Sequence, residues 1–449
     1  MKALIRVILI FATLLTTGCG TGKYVEQMLG DEDNTIPPTP LADIYTTINI
    51  SQTWSENIGS GTNELFIKLI PNVLDGKVFI ADTDGELAAL DAESGKTIWK
   101  KDLKLPVTGG PGAHSNLVMV GSSEGDVVAV SNENGEEIWR AKVSSEILSP
   151  PVENSGTVIT RTIDGKIFAL NAETGERLWV YDRTVPALTL RGTSTPVMIE
   201  NDVIAGFDGG RVTSLNRATG KLNWETRVAV SRGRSELERL VDIDAQPLIY
   251  QDSIYIATYQ SIIAALSLQT GALLWEREIS SFTELSADTD HLYVTDEEGN
   301  VWALDRFSGA SVWKQEKLLH RKPTGPAVLG NTVVVGDLEG YLHWMDKQTG
   351  DFIGRVQVSG SPILVKPSVE NNQLFAYASN GTLTSYRYLD LDISELPEKP
   401  VEIETEQASS EATTETVSED SSIFGGILDL FTGDSEDGEA EDSLEDLAD

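Results

Sequence analysis

The sequence predicts an all-β protein, an eight-bladed β-propeller whose blades are four-stranded antiparallel sheets. Three observations predict this fold. A unit of about 40 residues recurs along the chain, and each unit alternates apolar and polar residues with the period of a β-strand. In addition, the two ends of the repeat region each lack the part of a unit that the other end supplies.

The repeat is clearest in VFIADTDGELAALDAESGKTIW (78–99), where two turns separate three short apolar strands and the last strand ends at Trp99. Six further copies begin at residues 118, 158, 203, 254, 292 and 333, and the last of them has Gly354 in place of the tryptophan. The glycines of the second turn are spaced 40, 40, 45, 51, 38 and 41 residues apart; they are Gly95, Gly135, Gly175, Gly220, Gly271, Gly309 and Gly350. Short strands repeating at this period are typical of propeller blades.

The ends of the repeat region predict how the ring closes. INISQTW (48–54) supplies one strand ending in Trp54, and nothing before it supplies the rest of a unit. LFAYASNGTLTSYRY (374–388) supplies two strands but no closing strand. Because a propeller must close to protect its edge strands, we expect the N-terminal strand to join the last blade. The propeller then occupies residues 48–389.

The N-terminus has the pattern of a secretory signal. Lys2 and Arg6 precede an apolar run, VILIFATLL (7–15), which is too short to span a bilayer, and small residues lead to Cys19, the single cysteine. This pattern resembles a bacterial lipoprotein signal: a signal peptide over 1–18, lipidation at Cys19 and a linker over 19–47. In that class Gly20 implies an outer-membrane, periplasmic location. The alternative is an ordinary cleaved signal with an incidental cysteine.

Charge is concentrated at the C-terminus. The chain has a formal net charge of -36, which argues against nucleic acid as its main partner. From Asp390 onward there are 21 acidic residues and one basic residue, Lys399. This composition predicts a disordered acidic tail over 390–449. Its one apolar island, IFGGILDLF (423–431), is either a low-complexity patch or a motif that folds on a partner.

The repeat also resembles that of quinoprotein dehydrogenases, so two alternative functions need weighing. One is an enzyme dependent on pyrroloquinoline quinone; the other is a propeller that binds or senses a small ligand in its channel. The sequence has no pair of cysteines, and none of its four histidines forms a ligand-spaced pair. It contains no GxSxG, P-loop or dinucleotide-binding motif. We therefore expect no enzymatic activity, no cofactor and no metal site.

Residues 177–239 reverse the sign of the overall charge. This window holds seven acidic residues and ten basic ones: Arg177, Arg183, Arg191, Arg211, Arg217, Lys221, Arg227, Arg232, Arg234 and Arg239. A local excess of positive charge in an acidic protein suits a specific protein contact. The alternative is that these are ordinary exposed loop arginines.

Four segments carry a more specific resemblance: PALTLRGTSTP (186–196), SELERLVDIDAQP (235–247), LLHRKPTGPAV (318–328) and VVGDLEGYLHW (334–344). Together with the lipoprotein start and the repeats, they resemble the BamB family. Its members are lipoprotein subunits of the β-barrel assembly (BAM) machinery of Gram-negative bacteria. The resemblance covers about residues 40–388 and leaves the acidic tail outside the family pattern.

This resemblance implies a non-catalytic scaffold that binds the periplasmic POTRA domains of BamA, the barrel-inserting subunit. Matched onto this chain, the partner-binding residues are Leu188, Leu190, Arg191, Asp242 and Asp244. Leu188 and Leu190 lie on one side of an extended segment, and Arg191 offers a planar set of donors. A structural alternative remains open, in which the leucines fill the core and the aspartates hold Arg191 in place.

Overall fold

The structure is a computed structural model that describes residues 36–63, 65, 67–184, 194–230 and 241–391. Within these residues the regular elements are all β-strands. In chain order they are β1 (Ile48–Asn57), β2 (Lys68–Leu69), β3 (Asn72–Leu74), β4 (Lys77–Ala81), β5 (Glu86–Asp91), β6 (Thr97–Asp102), β7 (Val107–His114), β8 (Leu117–Ser122), β9 (Asp126–Ser131), β10 (Glu137–Lys142), β11 (Val152–Asn154), β12 (Thr157–Arg161), β13 (Ile167–Asn171), β14 (Arg177–Tyr181), β15 (Val197–Ile199), β16 (Asp202–Phe207), β17 (Arg211–Asn216), β18 (Leu222–Arg227), β19 (Leu248–Tyr250), β20 (Ser253–Ala257), β21 (Ile263–Ser267), β22 (Leu273–Arg277), β23 (Ser286–Ala287), β24 (His291–Thr295), β25 (Val301–Asp305), β26 (Ser311–Gln315), β27 (Ala327–Leu329), β28 (Thr332–Gly336), β29 (Tyr341–Asp346), β30 (Phe352–Gln357), β31 (Ser368–Glu370), β32 (Gln373–Tyr377) and β33 (Thr382–Asp390).

These strands form eight antiparallel sheets, which confirms the predicted eight-bladed propeller. Numbered along the chain, blades 1 to 7 are β3–β6, β7–β10, β11–β14, β15–β18, β19–β22, β23–β26 and β27–β30, and blade 8 is β31–β33 with β1. Blade 2 has one addition, because the two-residue strand β2 pairs in parallel with its inner strand β7. The centres of the middle strands are buried and supply the core between blades.

The ring is closed by its two ends, as predicted. β1 pairs antiparallel with β33, from Ile48 opposite Asp390 to Asn57 opposite Thr382, with one irregularity before Trp54. The N-terminal strand is thereby the outer strand of blade 8, and no edge is left open at the junction.

Neighbouring blades are locked together by tryptophan and glycine. The tryptophan within an outer strand stacks on the turn glycine of the next blade. A Cβ atom at Gly135, for example, would lie 2.6 Å from Cε3 of Trp99. The seven pairs are Trp54–Gly95, Trp99–Gly135, Trp139–Gly175, Trp179–Gly220, Trp224–Gly271, Trp275–Gly309 and Trp313–Gly350.

The eighth interface, between blades 7 and 8, explains why the last repeat lacks its tryptophan. Blade 8 takes β1 as its outer strand and so has no glycine turn to receive an indole ring. A Cβ atom at Gly354 would lie 2.7 Å from Cδ1 of Ile50 and 3.0 Å from Cδ1 of Ile48. Gly354 therefore leaves the space that the N-terminal strand occupies.

The segment before β1 is attached to blade 7. Thr39 donates its backbone N–H to the carbonyl of Leu319 (3.2 Å), and Arg321 donates from Nη1 to the carbonyl of Thr39 (2.8 Å). Further along, Arg355 donates from Nη1 to the carbonyl of Ala42 (3.0 Å). This part of the predicted linker is thus held on the propeller by hydrogen bonds.

Strand direction decides which loops share a face. Because strands alternate in direction within a blade, the turn between the second and third strands emerges on the same face as the connection from the outer strand to the next blade. We call this face the connection face. The glycine turns that receive the tryptophans lie on the opposite face.

Candidate functional site

Two successive connections on the connection face contain the sequence-predicted binding residues. The first links β14 to β15 and the second links β18 to β19. Leu188, Leu190 and Arg191 belong to the first connection, but they lie outside the described residues, as does Cys19. Asp242 and Asp244 belong to the second and are described.

The described parts of these two connections are joined directly. Ser194, fully buried at the end of the first, donates its hydroxyl to the carbonyl of Ala245 in the second (2.8 Å). Gly206 of β16 makes room for the junction, since a Cβ atom there would lie 2.3 Å from Cγ2 of Ile243. The structure therefore brings the two segments that carry the predicted residues into contact.

Asp242 and Asp244 point inward. They are 2% and 6% exposed, respectively. Asp242 accepts the backbone N–H of Gly209 at Oδ1 (3.3 Å), and its own carbonyl accepts the N–H of Tyr259 (3.0 Å). Asp242 thus ties the second connection to turns of blades 4 and 5. In the protein without a partner, these two side chains therefore stabilise the loop from inside and contribute little to its surface.

Asp244 is held in an unfavourable environment. Its Oδ1 is buried and, among the described residues, has no hydrogen-bond partner. Burial raises the pKa of its carboxyl to about 6, against the attraction of Lys68 and with further repulsion from Asp242 and Asp208. A buried carboxylate whose oxygen lacks a hydrogen-bond partner destabilises the fold. Ionisable groups with shifted pKa values of this kind cluster at functional sites.

A second countercharge comes from Arg161, which the sequence analysis did not single out. Its side chain is 1% exposed; Nη1 donates to the carbonyl of Gly206 (2.6 Å), and Nη2 lies 3.5 Å from Oδ1 of Asp208. Its guanidinium stacks 4.8 Å from the ring centroid of Phe207. Burial lowers the pKa of Arg161, while Asp208, Asp244 and Asp242 act in the opposite direction.

A signal for Arg161 was present in the repeat. The strand VITR (158–161) ends in arginine where VFIA (78–81) and VMVG (118–121) end in alanine and glycine. A charged residue at a position that is small and buried in blades 1 and 2 indicates a local acidic partner.

Lys68 crosses the mouth of the central channel. It lies on β2, beside blades 1 and 2, and its ammonium donates to the carbonyl of Asp244 and lies 2.9 Å from Oε1 of Glu284. Asp244 precedes blade 5 and Glu284 precedes blade 6, across the ring from blade 1. Lys68 thus links the region beside blades 1 and 2 to the connections that lead into blades 5 and 6. No pattern in the sequence marks this residue.

The basic window is partly neutralised within the chain. Arg183 and Arg211 both pair with Glu225, Arg211 at 2.6 Å. Arg217 donates from Nη1 to the side chain of Asn154 (3.0 Å). These described arginines are therefore engaged in ion pairs and hydrogen bonds within the chain. They do not form a surface of unpaired positive charge for a partner protein.

The described residues lack both a metal-binding cluster and a membrane-spanning helix. They contain no group of three or more His, Cys, Asp or Glu side chains placed to hold a metal ion. Nor does this part of the chain contain a helix with the length and apolar content needed to cross a bilayer.

The chain is similar in sequence and in structure to known BamB proteins. Residues 70–315 match the family model described as "Outer membrane protein assembly factor BamB". The protein of that name from Kangiella koreensis is 48% identical over 76% of this chain and 89% of its own length. The crystal structure of BamB from Moraxella catarrhalis superimposes with a TM-score of 0.70 at 26% identity, covering 76% of this chain and all of that one.

Quinoprotein enzymes share the fold. A quinohemoprotein alcohol dehydrogenase from Comamonas testosteroni has a TM-score of 0.61 but 15% identity, covering 75% of this chain and 76% of its own. A likeness at that identity reflects the propeller alone. The sequence matches, by contrast, run through the segments that form the two joined connections. The chain therefore belongs to the BamB family of outer membrane protein assembly factors.

Proposed function

We propose that this protein is a non-catalytic scaffold of the BAM complex. In this role it is anchored by a lipid on Cys19 to the periplasmic face of the outer membrane and binds the POTRA domains of BamA. It assists the assembly and insertion of β-barrel proteins without performing chemistry of its own. Family membership at 48% identity over most of a relative's length is the observation that carries the proposal.

The joined connections support the location of the partner site. The connections from β14 to β15 and from β18 to β19 start from adjacent blades on one face, and the hydrogen bond from Ser194 to Ala245 joins their described ends. Attachment of both connections to one ring suits a scaffold, because the ring fixes the positions from which they extend.

Within this site we assign different roles to the predicted residues. Leu188, Leu190 and Arg191 contact BamA, the leucines by apolar burial and Arg191 by hydrogen bonds to a carboxylate or backbone. Asp242 and Asp244 support the loop from beneath, in keeping with their exposures of 2% and 6%. Of the two alternatives that the sequence leaves open, this favours a supporting role for the aspartates.

Charge reversal at Arg191 tests the contact. We expect Arg191→Glu to abolish co-purification with BamA and to leave the thermal unfolding temperature unchanged. Arg177→Glu, on the exposed outer strand of blade 3, is the matched control and should retain BamA. Retention of BamA by Arg191→Glu would refute the contact, and loss of both binding and stability would make Arg191 a structural residue.

The anchor and the absence of chemistry are tested separately. Cys19→Ala should release the protein from the membrane into the periplasmic fraction, since stable attachment then lacks its lipid.

Pyrroloquinoline quinone with Ca²⁺ should leave the unfolding temperature unchanged, because a ligand stabilises only a protein that binds it. A saturable rise would favour the enzyme alternative.

A further inference from the structure

A cavity in the central channel carries an inference independent of BamA. It has a volume of about 510 Å³ and is lined by the inner strands of five consecutive blades, 5, 6, 7, 8 and 1. This volume falls within the range of small-molecule sites, roughly 300–1,000 Å³. Nothing in the scaffold function requires it.

Lys366 is the one cationic side chain in the lining of this cavity, and among the described residues it has no ion-pair partner. Its ammonium donates one hydrogen bond, to the carbonyl of Leu285 (2.8 Å). No carboxylate oxygen among the described residues lies within 4.0 Å of it. The nearby Glu284 carboxylate is engaged by Lys68 at 2.9 Å. An ammonium has three N–H donors, so Lys366 can still bind an anion.

Two neutral donors line the same cavity. Among the described residues, the side-chain amides of Asn72 and Gln246 make no hydrogen bond, although both face the cavity with Lys366. Asn72 begins β3 of blade 1, and Gln246 ends the connection that leads into blade 5. The cavity thus presents donors from opposite sides of the ring.

The charge that is left unpaired inside the site favours an anion. The lining holds the ammonium of Lys366 and the carboxylates of Glu284 and Glu370, but the Glu284 carboxylate is already paired with Lys68 from outside the lining. Burial lowers the pKa of Lys366 to about 8, so its ammonium is retained at neutral pH against a desolvation penalty that a bound anion would offset. Glu370, at the far end, is exposed to solvent.

We propose that this cavity binds a carboxylate, which pairs with Lys366 and is oriented by the amides of Asn72 and Gln246. The carboxylate belongs either to a small free acid or to the C-terminus of an extended peptide. Both present the same group to Lys366, and they differ in what the rest of the cavity must hold.

Titration calorimetry on the purified full-length protein tests the proposal with three probes: N-acetyl-trialanine as the free acid, the same peptide as its C-terminal amide, and succinate. We expect saturable one-to-one binding of at least one acid and no binding of the amide. Tight binding of succinate identifies a free acid, whereas binding of the peptide acid alone identifies a chain terminus.

Variants connect the binding to the site. Lys366→Met should weaken binding of the acid by at least about tenfold, the usual effect of removing a charge-assisted bond. Lys317→Met, at an exposed position outside the cavity, should bind as the unchanged protein does. Circular dichroism checks that both variants are folded. Failure of both acids to bind, equal binding of acid and amide, or full binding by Lys366→Met would overturn the proposal.

Discussion

The ammonium of Lys68 lies 2.9 Å from Oε1 of Glu284, across the mouth of the central channel. The two side chains are 19% and 17% exposed, so the ion pair is largely shielded from water. Lys68 also donates to the carbonyl of Asp244. One residue from the segment between blades 8 and 1 is therefore bound to loops that lead into blades 5 and 6.

Removing this lysine should destabilise the propeller. We expect Lys68→Met to lower the free energy of unfolding by about 2–4 kcal/mol, because it leaves Glu284 buried without its partner. Urea unfolding followed by tryptophan fluorescence measures the change.

The matched control is Lys100→Met. Lys100 pairs with Glu86 at 2.8 Å, but these side chains are 41% and 35% exposed. An exposed pair contributes less than about 1 kcal/mol. Equal losses in the two variants would show that the channel pair has no special role in stability.

The tryptophan–glycine contacts predict a second difference between two variants. Gly135 has φ 71°, and a Cβ atom there would meet Trp99 at 2.6 Å. Gly76 has φ 72° with no atom within 4 Å of such a Cβ. Gly76→Ala should cost about 1 kcal/mol from backbone strain alone, whereas Gly135→Ala adds a clash that brings the loss to roughly 3 kcal/mol.

Thermal unfolding of both variants measures that difference. If Gly135→Ala lost no more stability than Gly76→Ala, the glycine would be required only for its backbone conformation, and the indole contact would not lock the blades.

The repeat predicted most of this architecture because its signals are local. The turn glycines and the tryptophans of the outer strands lie within one unit of sequence, so spacing alone located three strands in each of blades 1 to 7. Most inner strands were not visible, since strands such as β3, β11 and β15 have three residues each and no room for an alternating pattern; β7 is the exception, with eight residues. The missing tryptophan at Gly354 acquired its explanation only from β1, which is distant in sequence.

The candidate site was less predictable, because its contacts join residues that are distant in sequence. Its outline came from a family resemblance, and the aspartates were recognised as residues but not as buried ones. Lys68 contacts Glu284 and the carbonyl of Asp244, and Arg161 interacts with Asp208 and Asp244, although these residues come from separate parts of the chain. No periodicity links such residues, so a single sequence does not place them together.

The N-terminal segment offers a third prediction. Arg355 donates to the carbonyl of Ala42 (3.0 Å) and, from Nε, to Nδ1 of His343 (3.1 Å). We expect Arg355→Met to loosen the segment and to speed amide exchange at Thr39 by about tenfold, the effect of losing one charged hydrogen bond. Hydrogen exchange with mass spectrometry measures it.

The control for that experiment is Arg387→Met, which removes an exposed ion pair to Glu93 at 2.7 Å but no side-chain hydrogen bond to the segment before β1. Exchange at Thr39 should be unchanged there. Unchanged exchange in Arg355→Met as well would mean that the remaining bonds to blade 7 are sufficient to hold the segment.

Asp244 predicts a pH dependence of stability. Burial raises the pKa of its carboxyl from 3.8 to about 6, so the folded protein binds this proton more tightly than the unfolded chain does. Stability therefore falls as pH rises through the interval between these two values, and the penalty is complete above about pH 6. A shift of this size corresponds to at most about 3 kcal/mol.

Asp244→Asn should remove that penalty. We expect its free energy of unfolding to exceed that of the unchanged protein by up to about 3 kcal/mol near pH 7.5 and to match it near pH 4, where the native carboxyl is already protonated. Asp91→Asn is the control of opposite sign, because hydrogen bonds from Ser94 lower the pKa of Asp91. Replacing Asp91 should not stabilise the protein at either pH.

A pH-independent effect of Asp244→Asn would show that its carboxylate is compensated in the folded protein. A stabilised variant that bound BamA less well would instead indicate that this charge is retained for partner binding at the expense of stability.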